Sequence, residues 1–283
     1  MTSAALDACL CLLLVSAAAV TVTSVSAPSA VENTDRADAV AETLTATTAE
    51  VPYTLRPVPG SAEERSPEFE RVAHGTLVSL LADAAVRTVR VDGEALTGTN
   101  ADFADAVRGT VSERLPPRTR VVVRWQPTPG SHLGRQFSVG PTPPPDADVH
   151  AETVRASSGI AAPAPSNAST AAQAGGYDSL VRLVSLSLVD GLLPPDKGRL
   201  ALGDDAPIDD LVRHRYRRVS EHYEVNTTKE IDRKQTRAAN RRIAAAMADH
   251  VAADLRSATA TPGDAAESLR IDTVEISVRT WSP

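Results

Sequence analysis

The sequence predicts an α+β head behind an N-terminal apolar segment, and three patterns carry that expectation. Leu180, Val184, Leu188 and Leu192 recur every four residues, the period of a buried helix face. Val121, Val122, Val123 and Trp125 make a β-branched and aromatic run suited to a pleated sheet. Val274, Ile276 and Val278 alternate with polar residues, as in a strand buried on one side.

Ala8 to Val31 holds 24 consecutive residues without a formal charge. A helix rising ~1.5 Å per residue needs roughly 20 apolar residues to cross a ~30 Å hydrocarbon core. Residues 1–31 therefore read as a membrane anchor, most apolar at Cys9, Leu10, Leu12, Leu13, Leu14 and Val15. A cleaved signal peptide is the rival, but it needs a basic n-region. Met1 to Ala8 has no Lys or Arg and carries Asp7, and Pro28 follows the small triplet Val25-Ser26-Ala27. Glu32 to Glu50 holds five acidic residues against Arg36 alone. Because basic flanks stay inside, the expectation is a single pass with a cytoplasmic N-terminus and an extracellular head.

After the anchor, Asp35 to Val51 reads as a weakly amphipathic stalk helix carrying Ala39, Val40 and Leu44, and residues 32–60 as stalk and connector. Tyr53 to Val58 is a short extended piece. Pro67 then sits where a helix would start, and Phe69, Val72, Leu77, Leu80, Leu81, Ala84 and Val89 follow near 3.6 spacing, which predicts one helix. Val91-Asp92-Gly93 is its exit turn. A second helix carries Phe103, Val107, Val111 and Leu115, capped by Thr99 or Asn100. Arg118 to Gln126 is a strand, with shorter ones at Gln136 to Gly140 and Asp148 to Ala156 around a proline-rich turn.

Ala156 to Gly176 is mostly Ala, Ser, Pro and Gly without charge, and reads as a flexible loop and the best candidate for a boundary within the 61–283 head. Helices follow at Tyr177 to Leu193, over Ile208 to Tyr223 and at Lys229 to Ala258, giving about five in all. Leu269 to Trp281 closes the chain as a strand joining Trp125 in a small antiparallel or mixed sheet.

Composition narrows the setting. Of 29 basic residues only Lys197, Lys229 and Lys234 are lysines, aromatics are 3% and the net charge is −7, the mix of a GC-rich, salt-loving archaeal protein. The acidic excess argues against nucleic acid as main partner. Both cysteines, Cys9 and Cys11, fall in the anchor, so the head is expected to have no disulfide. Asn167-Ala168-Ser169 and Asn226-Thr227-Thr228 are glycosylation sequons.

Chemical motifs are sparse. The six histidines, His74, His132, His150, His214, His222 and His250, have no ligand spacing, so no metal is expected. No Gly-rich phosphate cradle is present, so no nucleotide or other cofactor is expected. Gly130-Ser131-His132-Leu133-Gly134 has His where a nucleophile elbow has Ser, and reads as a turn. No catalytic residue emerges, and an enzyme is not expected. The sharpest charge feature is the island Arg213, Arg215, Arg217 and Arg218, which with Asp7 is the candidate for partner docking. An anchored ligand-binding or hydrolase domain is the alternative, and it requires a deep pocket that joins His132 or His150 to carboxylates.

Together, Asp7 before the apolar span, a helical stalk and an α+β head resemble a pilin-like architecture. Leu6 to Ala18, Val212-Arg213-His214-Arg215-Tyr216-Arg217-Arg218 and the ending Val278-Arg279-Thr280-Trp281-Ser282-Pro283 resemble an uncharacterised family of haloarchaeal single-span proteins. That resemblance implies association with type IV pilus-like or tight-adherence-like assembly systems, with other pilin-like subunits or an assembly platform as partners. It supplies no catalytic residues. Pilins carry a recognisable peptidase site and a Glu near the fifth mature position; here only Asp7 stands in that region.

Overall fold

A computed structural model describes residues 30–55, 69–97, 101–204 and 208–282. The proposed anchor residues Cys9, Leu10, Leu12, Leu13, Leu14 and Val15, together with Asp7, lie outside the described residues. Among the described residues no helix is long and apolar enough to cross a membrane.

The fold is α+β. Its centre is a six-stranded antiparallel sheet of β3 (Arg90–Val91), β4 (Glu94–Ala95), β5 (Thr119–Trp125), β6 (Leu133–Val139), β7 (Val149–Ser157) and β8 (Thr273–Trp281), in the order β4-β3-β6-β5-β8-β7. Val123 stands opposite Phe137 and Ile276, and Val121 opposite Val139 and Val278. These residues are buried on one side of the sheet, as period-two alternation requires.

That side is covered by α1 (Ala30–Ala46), which lies across β7 and β8, and α2 (Leu77–Arg87), which packs on β5. Thr76 caps α2 by accepting from the Ser79 N–H at 3.2 Å. A separate antiparallel pair, β1 (Thr48–Leu55) and β2 (Phe69–Thr76), and α3 (Ala101–Ser112) complete this half.

The rest is helical: α4 (Pro165–Leu192), α5 (Pro195–Ala201), α6 (Ile208–His222), α7 (Thr228–Asp232), α8 (Thr236–Ala258) and α9 (Pro262–Ser268). α4 and α8 form the principal helix pair. The helical half joins the sheet where the Trp125 Nε1–H donates to the Ile271 carbonyl at 3.0 Å and the Ser158 hydroxyl donates to the same oxygen at 2.8 Å. One cluster of buried apolar residues runs through both halves, from Val40 to Val278.

Four expectations need correction. The predicted stalk helix stops at Ala46, and its stripe of Ala37, Val40, Ala41 and Leu44 is buried, so it belongs to the head. The single helix expected from Phe69 is a strand to Thr76 and a helix thereafter; the β1 partner outweighs the helical spacing, and Val72 is left 63% exposed. The loop expected at 156–176 holds the end of β7 and, from Pro165, a helix with Ala168 and Ala172 buried. It breaks at Gly175 and Gly176, where Gly176 has φ 60°, a conformation open to glycine at little cost. The helix expected at 229–258 is split by a turn in which Lys234 has φ 56°.

Candidate functional site

The fold brings three of the six histidines to one place. His132 lies in the β5–β6 turn, held by the Ser131 N–H donating to the Thr128 carbonyl at 3.1 Å. His250 and Asp254 stand one turn apart on α8, on one face of the helix. His222 and Tyr223 arrive at the C-terminal end of α6. The Asp254 carboxylate accepts from the His132 ring at Nδ1, 2.5 Å away, and from the His132 backbone N–H at 3.1 Å.

With Nδ1–H committed to the carboxylate, Nε2 is the free acceptor. The Tyr223 hydroxyl lies 3.4 Å from it. The His250 ring lies 5.2 Å from the His132 ring and 5.6 Å from that of Tyr223, and His222 meets Tyr223 edge-on at 4.9 Å. Burial, aided by the Asp92 and Asp254 carboxylates, pushes the Tyr223 phenol well above its ordinary range, so it stays a donor. Burial also holds His222 below its ordinary value; Asp92 opposes this, and His132 and His250 reinforce it.

Chemically, this is a carboxylate-oriented imidazole with one basic nitrogen beside a phenol, able to hold or pass a proton. Among the described residues no group of three or more His, Cys, Asp or Glu side chains is placed to hold a metal ion. The partners lie 122 residues apart for His132 and Asp254 and 91 apart for His132 and Tyr223, so sequence spacing could not reveal them. The available signal was His250 and Asp254 at i, i+4 on one helix. The other histidine considered, His150, is 3.4 Å from Asp148 on edge strand β7.

The predicted docking arginines separate. Arg213 pairs with Asp232 at 3.0 Å and Asp209 at 3.5 Å. With Arg217 it lines a groove of about 560 Å³ between α6 and α7, beside Glu221, Asn226 and Ile231. Arg217 donates to His214 Nδ1 at 2.9 Å, and Arg218 lies 3.4 Å from Glu221. Arg215 turns away from that groove: burial lowers its pKa first, and Arg87 of α2 next. The four thus do not form one basic patch. Both sequon asparagines are exposed, and the Asn226 side chain accepts from the Thr228 N–H at 2.9 Å.

Neither the curated proteins nor the solved structures contain a match to this chain. A family model does match, over residues 6–281, nearly the whole length, and the chain belongs to that family, a family of unknown function designated DUF7284.

Proposed function

We propose that this protein is a membrane-anchored structural or assembly component of a type IV pilus-like surface or secretion system of a salt-loving archaeon, with its head outside the cell. One observation carries the reading. α1, described from Ala30, follows the uncharged run directly in sequence, and its buried stripe of Ala37, Val40, Ala41 and Leu44 is built into the sheet through β7 and β8. A helix so placed joins whatever holds residues 8–29 directly to the head's core. The small residues in that run suit close packing among helices in a membrane. Partners on this reading are the membrane, other pilin-like subunits and an assembly platform, with Asp7 and the α6 arginines as docking residues.

The test is purification of the tagged full-length protein from gently solubilised membranes, with copurifying chains identified by mass spectrometry. Other short pilin-like chains, a pilus-type ATPase or a platform protein are expected; elution alone, or an intact protein in the medium beginning at Pro28, overturns the reading. Leu12→Arg with Leu14→Arg should block membrane retention, since each central Arg costs about 2.5–3.5 kcal/mol on insertion scales. Retention of that variant removes the anchor.

The Asp254–His132–Tyr223 chain favours a second reading, an anchored head that binds or hydrolyses an extracellular ligand. Turnover of an ester or glycoside substrate by the purified protein, lost in His132→Ala, would establish it.

A further inference from the structure

The two faces of the sheet half carry opposite net charge. On the side away from α1, the outward positions of β5, β7 and β8 present Arg120, Arg124, Arg155 and Arg279, with Glu275 as the one carboxylate, standing across the strands from both Arg124 and Arg155. Arg124, Arg155 and Arg279 are exposed, Arg120 is half-buried, and none of the four makes an ion pair among the described residues. Arg120 donates to the Ser138 hydroxyl at 2.8 Å and to Thr142, both neutral. Arg120 and Arg279 stand directly opposite across β5 and β8, a placement that like charges disfavour. Between the arginine rows the floor is Thr153, Ser277, Val122 and Ser138, small and uncharged.

On the other side, Asp38 and Glu42 lie exposed on α1 and, with Glu152 of β7, line a groove of about 420 Å³ that has no basic side chain in its wall. These carboxylates also make no ion pair among the described residues. Some exposed charges elsewhere are paired, as in Asp83–Arg87, Asp196–Arg237 and Asp178–Arg256. Two sets of unpaired charge of opposite sign on opposite faces of one layer cannot meet within one molecule.

We infer that the arginine face of the sheet is a docking surface for a second copy of this chain, which offers its α1–β7 acidic groove. The contact joins unlike patches, so it is heterologous: each docked copy leaves one face open at either end, and repetition gives a filament rather than a closed dimer. Arginine forks on carboxylates act at contact distance and bidentately, so such a contact persists where salt screens longer-range charge. The inference rests on the assembly reading only in that copies must meet.

The experiment uses the full-length protein in its membrane with Cys9 and Cys11 changed to Ser, and a short bis-maleimide linker. Thr153→Cys marks the arginine face and Ala39→Cys the acidic one; both positions are exposed. Neither variant alone should cross-link to itself, coexpression should give a mixed dimer, and the double variant should give a ladder. Self-linking of either single variant means a symmetric interface and overturns the inference, as does absence of the mixed dimer. Arg124→Glu with Arg279→Glu should reduce the mixed product at least ~tenfold, and Asp38→Arg with Glu42→Arg on the other copy should restore it. Restoration shows that the loss is not misfolding; reduction without restoration also overturns the pairing. Copurification of differently tagged copies separates the two claims: if copies copurify without this cross-link, the docking surface fails and assembly stands; if none copurifies, both fail.

Discussion

Replacing Asp254 by alanine isolates what its contact with His132 contributes. The carboxylate accepts one bond from the ring and one from the backbone of His132, and the two side chains are 9% and 12% exposed. A bond to an ionised acceptor contributes about 1.5–3 kcal/mol, and a buried donor left unpaired costs about 1–3 kcal/mol. The two bonds share one oxygen and the site is not fully dry, so the expected loss is about 2–4 kcal/mol. Asp254→Asn keeps an acceptor oxygen but not the charge, and should lose about 1–2 kcal/mol. Urea unfolding of the detergent-solubilised full-length chain, followed by fluorescence of the buried Trp125 and Trp281, reads the loss as a lower midpoint at constant slope. His132→Ala and the double variant close the cycle, with an expected coupling of about 1–2 kcal/mol. If Asp254→Ala costs less than about 0.5 kcal/mol, or the coupling vanishes, the carboxylate does not orient the ring and the reasoning fails.

Asn240 is fully buried; it accepts from the Tyr216 hydroxyl at 2.8 Å and donates to Asp190 at 2.7 Å and to the Leu193 carbonyl at 2.8 Å. Asn240→Leu strands these partners and should cost about 2–5 kcal/mol by urea unfolding, whereas Tyr216→Phe should cost about 1 kcal/mol. Gly140 has φ +89°, and an added Cβ would stand 2.3 Å from the Thr119 carbonyl oxygen, so Gly140→Ala should cost about 1–3 kcal/mol in thermal unfolding. His214 and His222 are both held below the ordinary 6.5, chiefly by burial, with Arg217 adding to the effect at His214. The unfolded chain then takes up protons first, so these groups remove stability as pH falls below about 6.5 and have no effect above it. The melting temperature between pH 7.5 and 5 should fall less steeply in His214→Gln with His222→Gln.

Legibility followed the range of the interaction that decides each element. β5 and β8 were readable because the alternation of Val274, Ile276 and Val278 is a local consequence of one buried face, and α6 because Leu211, Tyr216, Val219 and Tyr223 mark its stripe. Phe69 to Thr76 was misread because Phe69, Val72 and Leu77 fit a helix, and only the distant β1 partner makes the segment a strand. The uncharged Ala-Ser run misled differently: small side chains give little hydropathy contrast, yet Ala168 and Ala172 let that helix approach closely and are buried for that reason. The His132 cluster had a faint trace on α8 alone, since its other members come from a turn and from the end of α6. The α6 arginines were legible as a charge run, but only geometry shows Asp232, Asp209 and Glu221 meeting them from within the same half of the fold.

The place of β8 also sets an order of events. It lies between β5 and β7, and among the described residues β7 pairs with no other strand of the sheet, so residues 149–157 have no ladder partner there until residues 273–281 exist. A ribosome or translocation channel delivering this chain from its N-terminus must release more than a hundred residues after β7 before the sheet can close. Pairing at such sequence separation is slow, and during that delay the valine-rich edge of β5 stands open. The head is thus a product of completed synthesis, and a cell making it in quantity has reason to shield the nascent chain until its last strand arrives.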